Sequence, residues 1–183
     1  MAVILETERL VLREWKPEDA EALFALVGDA DVMRYVDTGR PWEFERARGW
    51  IEKLNVSYRT RGYSRWAVAE REGGRVVGSS GFVPLPWSGE IDYGYMLRRD
   101  CWGRGYATEI GRAALRHGFE RLGFKEVVAS IAPENDASRR VLLKLGFVYR
   151  GNEMLPGEGE ESEIYVAANP SAADAGVGST DAT

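Results

Sequence analysis

The sequence predicts a mixed-sheet α/β domain, with antiparallel strands early in the chain and strand–helix–strand crossovers late. Three observations carry that expectation. Gly73-Gly74 separates two apolar segments as a hairpin turn would. A strongly periodic helical stretch, Ala107 to Leu122, lies between two short strand-like runs. A second helical stretch, from about Asp136, again leads into strand-like segments. At 183 residues the chain is long enough for one sizeable core.

Each element has its own warrant. Glu8–Glu14 alternates apolar and polar residues and reads as a half-buried strand. Pro17 can open a helix on which Ala20, Leu23, Phe24 and Val27 recur, with Gly28 ending it at positive φ. A second helix, Trp42 to Tyr58, gathers Ala47, Trp50, Ile51 and Leu54 on one side. Ser64–Glu70, Arg75–Val83 and Glu90–Leu97 follow as strands. On the next helix Ala107, Ile110, Gly111, Ala114, Leu115, Gly118, Phe119 and Leu122 form the apolar face, opposite Glu109, Arg112, Arg116 and Glu120. Glu126–Ile131 is a strand, Asp136–Leu145 a helix closed by Gly146, and Phe147–Arg150 and Glu163–Ala167 are the last two strands. Residues 1–168 are thus expected as one domain. From Asn169 onward the chain holds too little apolar surface to offset its ordering entropy, so residues 169–183 are expected to be a disordered tail.

Composition excludes several function classes. No apolar run is long enough for a transmembrane helix, and the start MAVILETERL lacks the pattern of a signal peptide, so a soluble, cytoplasmic protein is expected. One cysteine, Cys101, cannot make an internal disulfide or a multi-cysteine zinc site, and a single histidine, His117, argues against a His-based metal centre or a Ser-His-Asp triad. No metal is expected. With 24 basic against 29 acidic residues the chain is a poor candidate for nucleic acid, whose binding rests on neutralising phosphates.

The chemistry concentrates in Asp92–Glu109, DYGYMLRRDCWGRGYATE. A strand ends, two glycines follow at Gly103 and Gly105, and the strong helix begins. Such glycines let the backbone turn sharply and expose its N–H groups, and the helix N-terminus adds unpaired donors and positive potential. That arrangement suits a phosphate or pyrophosphate. No Gly-Lys-Ser/Thr follows, which excludes a Walker loop, and Thr108 stands where a dinucleotide fingerprint needs Gly or Ala.

Trp102–Glu109, WGRGYATE, resembles the acyl-CoA pyrophosphate loop of the GNAT superfamily of N-acetyltransferases, closest to its RimJ/RimL-like branch. Thr7–Arg13 (TERLVLR) with Asp19, the strand Asp92–Leu97, and Asn135-x-x-Ser138 followed by Lys144-Leu145-Gly146-Phe147 resemble that branch in the same order. The resemblance implies a GNAT fold, a mixed central sheet whose fourth and fifth strands splay apart, flanked by helices. It implies acetyl-CoA as cosubstrate, with pantetheine held near Met96 and Leu97 and pyrophosphate on Trp102, Gly103, Arg104, Gly105, Tyr106, Ala107 and Thr108. Arg98, Arg99, Arg104, Arg139 and Arg140 are then candidates to screen the outer phosphates. The first loop position, often Gln or Arg in the superfamily, is Trp102.

Direct acyl transfer to an amine needs a base, a polarised carbonyl and help for the leaving thiolate. The resemblance places Asp92 where the branch usually has Glu; Glu90 lies two residues earlier on the same strand face, so both are candidate bases. Ser138 shares a helical face with Val141, Leu142 and Leu145 and is the candidate acid, because Leu142 stands where many superfamily members carry Tyr. Asn135 is a candidate pantetheine donor. Cys101 is expected as a small buried hydrophobe rather than an acyl carrier. Tyr35 and Trp42 lie near the acceptor-side rim implied by the fold and are expected chiefly as packing residues.

The expected function is transfer of an acetyl group to a primary amine, a protein N-terminus or a small molecule, by a monomer or homodimer without nucleic-acid or membrane partners. A bulkier acyl-CoA such as succinyl-CoA, or a CoA-binding module without catalysis, are the alternatives. The net charge of −5 equals that of residues 153–163 alone, with Glu153, Glu158, Glu160, Glu161 and Glu163. In the implied fold this hairpin borders the acceptor entrance and would attract a cation.

Overall fold

The computed structural model describes residues 2–156 and 161–173. Among them eight strands form one sheet: β1 (Val3–Glu6), β2 (Leu10–Arg13), β3 (Arg65–Glu70), β4 (Val76–Pro84), β5 (Ile91–Leu97), β6 (Glu126–Ile131), β7 (Val148–Met154) and β8 (Glu161–Ala168). Their spatial order is β1-β2-β3-β4-β5-β6-β8-β7. Every neighbouring pair is antiparallel except β5 and β6, which run parallel. The helices are α1 (Ala20–Val27), α2 (Ala30–Met33), α3 (Phe44–Arg61), α4 (Tyr106–Glu120), α5 (Asp136–Lys144) and α6 (Pro170–Ala173). This is the mixed α/β architecture with flanking helices that the sequence predicts.

Strand alternation sends side chains to two cores. Leu10, Leu12, Trp66, Val68, Phe82, Tyr93 and Leu97 face Ile110 and Ala114 of α4 and Leu142 of α5. Ala67 and Met96 face the other way, onto Leu23 and Leu26 of α1 and Ile51 and Leu54 of α3. A side chain at Gly111 of α4 would overlap Leu145, so its absence lets the end of α5 press against α4.

Several boundaries differ from the expectation, each for a local reason. The first strand is a hairpin: β1, half-exposed and only four residues long, pairs with β2 and lays Ile4 and Leu5 against the core. Pro17–Asp19 forms a 3-10 turn ahead of α1, and Gly28 ends α1 at φ −86 rather than at positive φ. β7 extends to Met154 as an exposed edge strand, where no buried face imposes a readable alternation. At the expected tail, the Asn169 N–H and amide donate to the Lys125 and Phe124 carbonyls, and a short helix follows; residues 174–183 lie outside the described residues.

The Arg13 and Asp19 of the early motif form a buried bidentate pair, at 2.6 and 2.9 Å, and Asp19 also accepts from the Lys16 N–H at 2.7 Å. The pair ties β2 to the start of α1. Removing one partner of such a pair strands a buried charge. Asp19→Ala is therefore expected to cost about 3–5 kcal/mol, seen as a lower urea midpoint. A loss below about 1 kcal/mol would show that water replaces the carboxylate without penalty.

Candidate functional site

β5 is paired along its length with β4, but meets β6 at one point, Asp92 opposite Val128. β6 is held on its far edge by β8 from Glu126 to Ile131. Beyond Asp92 the two strands diverge, each following its own partner. The gap opens into a cavity of about 1130 Å3, walled by β5, by residues 101–103 and 105–108, by the β6–α5 connection and by the end of α2 with the turn that follows it, within residues 31–39.

The pairing pattern decides what β5 offers to this gap. The Arg98 N–H donates to the Val77 carbonyl of β4, and in an antiparallel ladder the direction alternates residue by residue. Met96 therefore turns its N–H and C=O toward β4, while Tyr93, Tyr95 and Leu97 turn theirs into the gap. The Leu97 carbonyl is already taken by the Trp102 indole N–H at 2.8 Å. Of the two expected pantetheine residues, Leu97 thus faces the gap with its N–H, and Met96 contributes side chain only. Tyr95 supplies the other backbone groups.

One end of the cavity is the glycine loop. Gly103 and Gly105 have φ of 72° and 79°, a conformation that disfavours any residue with a Cβ, and a Cβ at Gly103 would meet only open space. Gly105 caps α4, and the Glu109 N–H is the first to bond back, to the Gly105 carbonyl at 3.1 Å. The N–H groups of Tyr106, Ala107 and Thr108 therefore have no partner within the helix. With Trp102 these residues line the cavity and form a cradle for an anion.

The expected phosphate-screening arginines are not brought to the cavity. Arg98 is paired with Asp100, Arg99 with Asp31, Arg104 with Glu70, and Arg139 with Glu163 and Asp136, while Arg140 is exposed elsewhere. The guanidinium groups of Arg98, Arg99, Arg104 and Arg139 are held by carboxylates. Arg34, Arg65 and Lys144 are the cationic residues that line it.

Two groups able to move protons flank the gap on opposite faces of β5. On one face Asp92 is buried and ion-paired with Arg65. Burial raises its pKa to about 6, against the opposing pull of Arg65 and of the Ser130 backbone N–H. On the other face the Tyr95 hydroxyl lies 3.2 Å from Ser138 Oγ. Burial pushes the Tyr95 hydroxyl above its ordinary range, with the Ser138 bond pulling the other way. Asn135 caps α5 by accepting from the Ser138 N–H at 3.1 Å, and so fixes where Ser138 stands. Leu142, buried, completes this wall.

A family model for the acetyltransferase (GNAT) domain matches residues 9–148. The chain belongs to the GNAT acetyltransferase family. It is 33% identical to the uncharacterised N-acetyltransferase YoaA of Bacillus subtilis, over 82% of this chain and 86% of that protein. Its structure is similar to a GNAT-family acetyltransferase from Bacillus anthracis, with a TM-score of 0.79 and 25% identity over 92% of this chain and 99% of that one. The ribosomal L7/L12 N-terminal acetyltransferase RimL, solved with coenzyme A, shares the fold at 20% identity and a TM-score of 0.77, over 91% of this chain and 98% of that one.

GNAT membership makes CoA the group to test against this cavity, and the residues fit it. The glycine cradle offers N–H donors to phosphates, and the free edge of β5 offers backbone groups to amides. Among the described residues no cluster of His, Cys, Asp or Glu could hold a metal.

Other expected residues fall into place or out of it. Glu90 lies outside the cavity, bound to Arg150 at 2.5 Å, whose guanidinium holds its carboxyl below the ordinary range. Cys101 is buried at the cavity wall and donates to Asp100, with burial pushing its thiol up. Trp42 is core, whereas Tyr35 is exposed and lines the cavity. Of the acidic hairpin, Glu153 is paired with Arg150 and Glu163 with Arg139; Glu161 lines the cavity, and Glu158 and Glu160 lie outside the described residues. Sequence reasoning missed Tyr95 and Arg65. The spacing of Tyr93 and Tyr95 in DYGYML was a usable signal for the first. Nothing in the sequence marks the second, because its contact depends on register across three strands.

The TER motif is a brace for the glycine loop. Thr7 Oγ1 and the Arg9 N–H and Nε all donate to the Glu109 carboxylate, at 2.6, 2.9 and 2.7 Å. Arg9 Nη1 donates to the Arg104 carbonyl at 3.0 Å, and its guanidinium lies 4.7 Å from the centre of the Tyr106 ring. Arg9→Ala is expected to weaken CoA binding about tenfold, or about 1.4 kcal/mol, by calorimetry. Arg9→Lys should recover only part, since an ammonium cannot reproduce the planar fork. Unchanged affinity in folded Arg9→Ala would show that the loop holds its shape unaided.

Proposed function

We propose that this protein transfers an acetyl group from acetyl-CoA to a primary amine by direct transfer within a ternary complex. The observation that carries the reading is the placement of Asp92 and of the Tyr95–Ser138 hydroxyl pair on opposite faces of β5, at the mouth of a gap open between them. Gly103, Gly105, Tyr106, Ala107 and Thr108 would hold the pyrophosphate with main-chain N–H groups, and Tyr95 and Leu97 the pantetheine amides. Bound acetyl-CoA supplies an activated thioester.

Asp92 faces the side of the sheet where residues 31–39 lie, from which the amine enters, and its carboxylate accepts the amine proton directly or through a water. Ser138, hydrogen-bonded to Tyr95, presents a hydroxyl donor on the other side, where the thiol must leave. The Tyr95 hydroxyl lies where it can resupply the Ser138 proton. Together they serve where Leu142 offers no hydroxyl. Glu90 takes no part in this scheme.

Acidity favours one acceptor class over another. A lysine amine, near pKa 10.4, gives up its proton far less readily than an α-amine, near 7.7–8.0. A carboxylate at about 6 is matched to the second. An N-terminal or other weakly basic amine is therefore the favoured acceptor. The motif resemblance to the RimJ/RimL-like branch is consistent with that choice.

A base must be ionised to work, so kcat/KM is expected to rise with pH through about 6, and a second limb near the acceptor amine's own pKa belongs to the substrate. Asp92→Asn should lower kcat by about 10²–10⁴ while CoA affinity is kept. Ser138→Ala should lower turnover, again sparing CoA affinity, and Tyr95→Phe should lower it less. The deciding experiment is an amine panel, peptides included, read by thiol release with acetyl-CoA and succinyl-CoA. Release with succinyl-CoA alone would replace acetyl as the donor group, and CoA binding without release on any amine would make the protein a CoA-binding module.

A further inference from the structure

The partner of Asp92 comes from two strands away, in sequence order and in space alike. Arg65 opens β3; its register partner on β4 is Gly81, and the partner of Gly81 on β5 is Gly94. The row from Arg65 toward the gap therefore carries no side chain on either intervening strand. Arg65 lies along this lane and pairs with Asp92, two residues from Gly94 on the same face of β5. A Cβ on Gly94 would overlap the Arg65 guanidinium at Nη1, Cζ and Nη2.

Gly94 is not dictated by its own backbone, since it is absent from the positive-φ glycines. The nearest atoms a Cβ there would meet are those of the guanidinium. The Arg65 main chain is itself anchored, its carbonyl accepting from the Trp15 indole N–H at 3.0 Å. The Arg65 side chain is 21% exposed against 8% for Asp92, and both line the cavity. From β6 Asp92 is faced by the Ser130 N–H, and from β4 by the uncharged Val83. Among the described residues Arg65 supplies the charge beside it.

We propose that Arg65 is a positioning residue for the transfer, laid across a glycine lane to keep the Asp92 carboxylate ionised and aimed into the gap, and that position 94 is glycine to admit it. The proposal rests on Asp92 as the base. Burial alone drives a carboxyl toward its neutral form, and a neutral Asp92 cannot take a proton. The guanidinium opposes that drive, and its fork fixes the orientation of the carboxylate.

The test is the pH profile of kcat/KM for Arg65→Met, Arg65→Lys, Gly94→Ala and Asp92→Asn. CoA affinity and melting temperature are measured alongside, and the Asp92 carboxyl is titrated by 13C NMR in the protein without CoA. Arg65→Met should move the acid limb upward, lowering kcat/KM below the limb about tenfold for each unit of displacement. Arg65→Lys should return the limb part of the way, restoring charge without the fork. Gly94→Ala should reproduce the Arg65→Met limb although Arg65 is still present, because the new methyl displaces only the far end of a flexible side chain. The NMR titration should move in the same direction. A merely structural Arg65 would lower the melting temperature and leave both titrations in place. Inactive Asp92→Asn together with an unmoved limb in folded Arg65→Lys and Gly94→Ala overturns the proposal alone. An Asp92→Asn protein that keeps the wild-type rate and limb overturns the base assignment, and the proposal with it.

Discussion

The structure depends on how little β5 and β6 share. Parallel strands are normally paired along their length and buried on both faces. Here the pairing stops at Asp92 and Val128. Each strand is satisfied on its outer edge, β5 by β4 and β6 by β8, so neither needs the other. The inner edges are left with backbone donors and acceptors that face a cavity rather than a neighbour. A buried polar edge is costly unless something bonds to it. A ligand bearing amides and phosphates answers that demand, and the gap is at once the sheet's weakest seam and its binding site.

The same seam sorts the chemistry. Because side chains alternate along β5, one strand presents a carboxylate to one face and a phenol to the other within four residues. Neither group needs a loop to place it. Asp92 is held from β3, and the phenol from α5, whose own N-cap sets its register through Asn135. The charged surface follows a complementary logic. Most arginines near the site are bound to carboxylates, so the cradle's main-chain N–H groups, with Lys144 on the cavity wall, are what it offers an anion.

Much of this was legible in the sequence. The strand–loop–helix run at Asp92–Glu109, the α4 periodicity and the late Asn135–Ser138 turn are local patterns, and local patterns are written in contiguous residues. The hairpin at Val3–Glu6 was not legible, because a short half-exposed edge strand carries no burial signature. Glu90 looked equivalent to Asp92 by spacing. What separates them is Arg150, sixty residues away on β7, which draws Glu90 out to the edge of the sheet. The expected arginines failed for a similar reason, since a sequence shows the cations and not which carboxylates they meet. Arg65 is the clearest case, its role arising from two glycines that only strand register lines up.

The brace at Thr7 and Arg9 has a consequence for motion. It joins the glycine loop to the hairpin that forms the outermost edge of the sheet, where opening fluctuations are least opposed. Fraying of that edge would remove the brace from the loop, and a ligand seated on the loop would restrain the edge. Two events joined in that way would be thermodynamically linked, so that amide hydrogen exchange in the first strand pair would report occupancy of a cradle formed by residues nearly one hundred positions later in the chain.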